Sequence, residues 1–243
     1  PVIHPFGDPL PLLARGRSLY QGQIAGLIMG HDIDTLRSLM SFINCMPAEE
    51  DAADPRQASR GRGRQLYKSR TLSFDNPRAA INESAERIES QLHLDPMVAP
   101  DLEDRHIWAG PQGEGIAMEA AHPWPHLLRK IASEATGLPQ KLISVSSGST
   151  SQLKPQRLTQ GLIPAGLAAL VALTLGEGVV MHWSALDNLR FGFHQAEADF
   201  RILTAHDNDG SLKALRVQAD LDMGACVIGS DEIISQIIMS FLA

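Results

Sequence analysis

Apolar residues recur along this chain in two rhythms, the helical period and the alternation of a strand, and each stretch can be assigned by which one it follows. Leu127, Leu128, Ile131 and Ala135 share one face of a helix predicted from Trp124 to Thr136, stopped by Gly137 with Pro139 just beyond. Gly161 to Gly176 is apolar almost throughout, which predicts a buried core helix. Pro164 interrupts it, and it falls short of the roughly 20 residues that span a bilayer. The chain closes on an amphipathic helix with Ile233, Ile234, Ile237, Ile238 and Phe241 inward, capped by Ser230 and with Asp231 and Glu232 complementing its dipole.

Three further helices are predicted nearer the start. Leu12 to Met29 carries Gly22, Gly26 and Gly30 at four-residue spacing, a smooth stripe for close helix packing. His31 to Asp34 reads as a turn and cap for a second helix, with Leu36, Leu39, Met40 and Ile43 on one face. Asn76-Pro77 starts a third, with Ile81, Ala85, Ile88 and Leu92 as its apolar side.

Strand-like runs are Leu66 to Phe74, Leu142 to Ser146, Val179 to Trp183, Leu189 to Phe193, Asp199 to Ala205, Leu212 to Leu221 and Ala225 to Ile228. Asp207-Asn208-Asp209-Gly210 is a hairpin turn between two of them. Pro47 to Arg64 is polar and passes from acidic to basic, and Leu94 to Gly115 reads as loop. Helices first and strands later predict an α+β fold: a helical N-terminal half, then an antiparallel β meander with a buried helix and a C-terminal amphipathic helix. The corresponding division is a helical segment over 1–46, a flexible charged linker over 47–64, and an α+β domain over 65–243 with a subdivision near 140.

Composition narrows the function classes. Hydrophobic residues make up 44% and charged residues 20%, so a packed core is expected rather than disorder. A net charge of −7 gives no global attraction to nucleic acid or anionic membranes, and 5% aromatics argues against a base-stacking platform. Cys45 and Cys226 stand alone, as free thiols would in a reducing cytoplasm. Prolines at 1, 5, 9 and 11 exclude a signal-peptide helix in this stretch. A soluble cytoplasmic protein without membrane insertion is the expectation.

The richest candidate chemistry is ISVSSGSTSQLK, Ile143 to Lys154. An apolar residue leads into Ser146-Ser147-Gly148-Ser149-Thr150-Ser151, and Leu153-Lys154 close the run. Glycine lets a backbone approach phosphate, hydroxyls and N–H groups donate, and lysine adds charge. This stretch resembles the phosphate-binding signature of adenylate-forming enzymes, the group of acyl-CoA synthetases, firefly luciferases and peptide-synthetase adenylation domains. The resemblance covers twelve residues and implies that Ser147, Ser149, Thr150 and Lys154 contact the β- and γ-phosphates of ATP, with Ser146 and Gly148 in the same phosphate-binding set. The same residues also read as a strand entering a Ser/Gly turn before a helix.

A basic arm, Arg56 to Arg70, sets Arg60, Arg62, Arg64, Lys68 and Arg70 where they could track nucleic-acid phosphates, although Glu49, Glu50, Asp51 and Asp54 partly neutralise it. Metal readings attach to Glu119, His122 and His126, where Pro123 and Pro125 break the helix they need, and to His182, His194 and His206 on separate segments. His206 to Gly210 resembles part of a calcium loop but lacks its closing Glu. Pro1 offers an N-terminal secondary amine of the kind that serves as base in the tautomerase superfamily. The Gly113-Glu-Gly115 and Gly176-Glu-Gly178 pairs read as turns.

With no complete catalytic set, the sequence points to a non-catalytic subunit of a larger assembly, without cofactor, that contacts other protein subunits through Pro47 to Arg70. The alternatives are a nucleotide-binding protein or acyl-adenylating enzyme holding ATP with Mg at 143–154, and nucleic-acid contact through 56–70.

Overall fold

The computed structural model describes residues 1–16, 18, 22–43, 68–97, 104–148, 161–192, 195–224 and 227–241. Its centre is a four-stranded sheet in the order β6-β5-β4-β7, formed by β4 (Arg105–Gln112), β5 (Gly115–Ala120), β6 (Ile143–Ser146) and β7 (Val179–Trp183). β4 pairs antiparallel with β5 and β7, whereas β5 and β6 run parallel. Parallel neighbours need a crossover, and α3 (Pro125–Thr136) supplies it.

Alternation sorts the two faces of this sheet. Ile107, Ala109, Ile116, Met118, Ala120 and Ile143 are buried against α3 and against α4 (Leu162–Leu175). The short ribbon of β1 (Val2–Ile3) and β2 (Leu10–Pro11) adds Ile3 and Leu10 to the same core. His106, Glu119, Ser144, Ser146 and Val180 occupy the other face and remain exposed.

A second, three-stranded antiparallel sheet has the order β3-β8-β9, from β3 (Glu86–Leu94), β8 (Glu197–His206) and β9 (Leu212–Asp222). The remaining helices are α1 (Ile33–Met40), α2 (Pro77–Glu83), α5 (Ala185–Phe191) and α6 (Ser230–Ser240). The fold is α+β. Among the described residues no helix is long and apolar enough to cross a membrane.

Several predicted elements keep their place: α3 ends at Gly137 in the left-handed conformation, α4 fills the centre of the core, and α1 starts at Asp32, whose Oδ2 accepts the Thr35 N–H at 2.8 Å. The helical N-terminal half is not found among the described residues. No described residue between Leu12 and Met29 is helical; Gly16 and Gly22 hold positive φ, and the Ala14 N–H donates to Ile24 O at 2.8 Å. The helix begun at Pro77 stops at Glu83, and Ile88 and Leu92 belong to strand β3 instead. A spacing of four suits a strand face as well as a helix face, and pairing with β8 decides it. Residues 105–112, read as loop, form strand β4. Residues 189–191, read as strand, end helix α5, which starts from a reciprocal cap between Ser184 and Asp187. Residues 68–74 form no strand. The linker over 47–64 lies outside the described residues, as do Cys45 and Cys226.

A buried carboxylate ties distant segments together. Asp8 is 1% exposed, accepts the Ser230 N–H and hydroxyl at 3.0 Å each, and pairs with Lys68 Nζ at 2.8 Å. Lys68 also reaches Asp231 at 3.0 Å, and Arg70 meets Asp231 at 3.4 Å. Both carboxylates hold the Lys68 ammonium above its usual range, the Asp8 hydrogen bond first and the Asp231 bond second. Ser230 is therefore the first residue of α6 rather than its cap, which is Gly229. A carboxylate from elsewhere in the chain serves the helix N-terminus instead.

Asp8→Ala is expected to lower unfolding stability by about 2 kcal/mol, because it strands a charge and two donors. Ile131→Ala, which leaves a cavity between α3 and the sheet, is expected to cost about 3 kcal/mol. Urea denaturation measures both.

Candidate functional site

β5 and β6 end side by side, and their register sets the chemistry there. Glu119 lies opposite Ser146 on one side and opposite Trp108 of β4 on the other, and Trp108 lies opposite Val180 of β7. These four form one row across the exposed face. The next row carries His106 opposite His182, whose rings stack with centroids 4.7 Å apart and planes at 26°. Together with Ala121 and Gly148, the row of four and His106 line a cleft of about 400 Å³. Trp108 finds room for its indole because Gly110 and Gly178 beneath it have no side chain: a Cβ at Gly110 would come within 2.6 Å of the ring.

Hydrogen bonds hold the strand ends in place. The Ser147 hydroxyl donates to His122 O at 2.8 Å and accepts the His122 N–H at 3.4 Å, joining the segment after β6 to the one after β5. His122 is 2% exposed, and its Nδ1 accepts the Trp124 N–H at 3.0 Å, which fixes the entry into α3. The Arg105 guanidinium donates to Ala121 O at 3.5 Å from beneath. At the far edge, Asp104 accepts the Ala185 N–H at 2.8 Å and meets His182 Nε2 at 3.3 Å. The Ala185 N–H first and His182 second hold the Asp104 carboxyl below its ordinary value.

Of the phosphate-loop residues, Ser146, Ser147 and Gly148 sit together at this strand end, while Ser149, Thr150 and Lys154 lie outside the described residues. Arg60, Arg62 and Arg64 also lie outside them. Lys68 and Arg70 are engaged with Asp8 and Asp231 rather than presented as an arm. The suggested metal sets do not assemble among the described residues: Glu119 faces the cleft, His122 is buried in its own hydrogen bonds, and His206 bonds Gly210 O and Thr204. His194 lies outside them. His106, Trp108 and Val180 were not singled out in the sequence, and only strand register places them beside Glu119 and Ser146.

One group among the described residues has ligand atoms close enough to hold a cation. His93, Glu197 and Asp199, on the second sheet, place theirs within 4.8 Å of one another. His93 Nδ1 meets Asp199 at 2.8 Å and its Nε2 meets Asp95 at 3.3 Å. The Asp199 bond, with a smaller contribution from Asp95, holds the imidazole above its ordinary value.

A model of the molybdopterin cofactor-binding domain matches residues 60–243. No curated protein matches the chain. Among solved structures, aldehyde oxidoreductase from Desulfovibrio gigas is 14% identical with a TM-score of 0.53, over 61% of this chain and 16% of that one. Quinoline 2-oxidoreductase from Pseudomonas putida 86 is 20% identical with a TM-score of 0.49, over 58% and 18%. CO dehydrogenase from Oligotropha carboxidovorans is 16% identical with a TM-score of 0.45, over 59% and 18%. The chain thus spans less than a fifth of the length of each of these structures. The first of them shows the same fold over the shared stretch.

The domain match overturns the resemblance to adenylate-forming enzymes, and with it the reading of ATP with Mg as cofactor. The physical reason is visible in the fold: Ile143 to Ser146 is a strand of a mixed sheet, and a Ser/Gly run after such a strand needs no nucleotide to explain it. The expectations of no cofactor and of a purely non-catalytic subunit are corrected by the same match.

Because the folded value of His93 lies above the unfolded one, near 6.5, its pairing stabilises fully below pH 6.5 and is lost as pH rises through the raised value. Proton NMR should find His93 titrating above 6.5, and Asp199→Asn should bring it back down.

Proposed function

Because the chain belongs to the family of molybdopterin cofactor-binding domains, we propose that it forms part of the cofactor-holding surface of a molybdenum oxidoreductase, through the cleft where β5 and β6 end. The observation that carries this reading is the placement of Glu119, Ser146 and Gly148 at the carboxyl ends of two parallel strands. In open, mostly parallel sheets ligands sit in the crevice outside the carboxyl ends of the strands, and the β5–β6 pair reproduces that arrangement locally.

The donor set fits the group. A pterin presents an amino-pyrimidinone edge and, in this cofactor, a phosphate. The exposed Glu119 carboxylate accepts from amino and ring N–H groups, while the Ser146 hydroxyl and the Gly148 N–H donate to oxygens. Gly148 has nothing within 4 Å of where a Cβ would stand, so backbone is open to a ligand there. Trp108 supplies an apolar wall for a planar ring. When bound, the cofactor supplies a molybdenum centre for oxidation–reduction chemistry.

The chain's own residues bind and orient. Ser147 keeps the two strand ends in register through His122, and Asp104 fixes the His182 ring beside His106. The cleft is open on its outer side.

The test is to purify the protein from a host that makes the cofactor, then measure released pterin by fluorescence and molybdenum by mass spectrometry. Bound pterin near one per chain is expected, falling at least severalfold in Glu119→Ala and Ser146→Ala with the fold intact. A folded protein that carries no pterin, or variants that retain it in full, would sink the assignment.

A further inference from the structure

The β5–β6 pair has a second cavity at its other end, where the strands begin. It measures about 440 Å³ and is lined by Gln112, Glu114, Arg129, Gln140, Lys141 and Ser144. Two cations thus face one carboxylate, in a chain whose net charge is −7. The exposed Glu114 sits on the β4–β5 turn, where water and salt screen its charge.

Arg129 is the group that asks for a ligand. It projects from α3, its Nε is buried, and that N–H has no hydrogen-bond partner among the described residues. Its guanidinium forms no ion pair among the described residues. A donor withdrawn from water without an acceptor is unfavourable, more so when charged. The partner whose shape matches a guanidinium fork is an oxyanion, carboxylate or phosphate.

The other residues suit the same ligand. Lys141 stands on the turn Gln140–Leu142 and adds an exposed positive charge. The Ser144 hydroxyl donates to Gln112 Oε1 at 2.6 Å, so the polar group left on that amide is its NH₂ donor. The frame is rigid: at Gly115 a Cβ would stand 1.8 Å from Leu142 O, so hairpin and turn meet backbone to backbone. We infer that this cavity is an oxyanion site for a small ligand bearing a phosphate or a carboxylate, distinct from the cleft at the strands' carboxyl ends.

The site is tested by titrating isotopically labelled protein with inorganic phosphate, and separately with succinate, at constant ionic strength. The reporter is the Arg129 Nε–H resonance. A saturable shift is expected, at lower concentration for whichever anion the site prefers. Arg129→Gln should abolish the saturable response, read on neighbouring amides, with circular dichroism and Tm unchanged. Lys141→Gln should weaken it by up to about tenfold. No saturable shift with either anion into the tens of millimolar overturns the proposal, as does undiminished binding in Arg129→Gln. Should Arg129→Gln fail to fold, the exposed Lys141→Gln decides, and unchanged affinity there overturns it. Failure here leaves the pterin measurement untouched, because the two cavities share no residue.

Discussion

Parallel pairing of β5 with β6 is the constraint on which the rest of the molecule depends. Strands that run the same way cannot be joined by a tight turn, so α3 must cross from the end of one to the start of the other. That crossing lays Leu127, Leu128 and Ile131 on one face of the sheet, while His106, Glu119 and Ser146 on the other face are exposed among the described residues. It also gathers both strand ends at one edge, where Glu119, Ser146 and Gly148 meet, and both strand starts at the opposite edge, beside Arg129. Two chemically different cavities therefore follow from one topological fact.

The rest of the energetics serves that arrangement. α4 contributes small residues, Ala165, Ala168, Ala169 and Ala172, which allow it to lie close to the sheet. Gly166 leaves room for Leu12, whose side chain would stand 3.0 Å from a Cβ there. The Asp8 carboxylate collects segments more than two hundred residues apart in sequence, joining the β1–β2 ribbon to α6. Burying one charge is acceptable there because Lys68 and the Ser230 donors surround it. By contrast β3 has no buried residue along its length, and Ile88 and Leu92 remain half-exposed, so the second sheet contributes little to the core.

Much of this fold is legible from local pattern, and the failures have physical causes. α3 could be read because its start, its inward stripe and its glycine stop agree with one another, and α4 because a continuous apolar run of that length has few other uses. The strand β3 was hidden because Ile88 and Leu92 satisfy both periods, and a tertiary partner, β8, makes the choice. α5 did announce itself, through Ser184 and Asp187 at cap spacing, but Leu189 to Phe193 looked extended in isolation. At the site, Ser146 to Gly148 could be noticed because serine and glycine cluster in sequence. Trp108 and His106 could not, and Glu119 stood out only as a metal candidate beside His122 and His126, because register between separate strands brings these residues together, and register is not a local property. The twelve-residue resemblance misled for the same reason: a short loop carries little of the information that identifies a fold.

Trp108 has a further consequence. Its indole lies over the two glycines Gly110 and Gly178 at the wall of the cleft, beside Glu119. An indole's emission responds to nearby charge and to quenching by a stacked conjugated ring, so the fold carries an optical probe at the place where a pterin would rest. Only two other tryptophans share the chain, Trp124 at the entry to α3 and Trp183 at the end of β7. Occupancy of the cleft can thus be followed by the protein's own light, without any label.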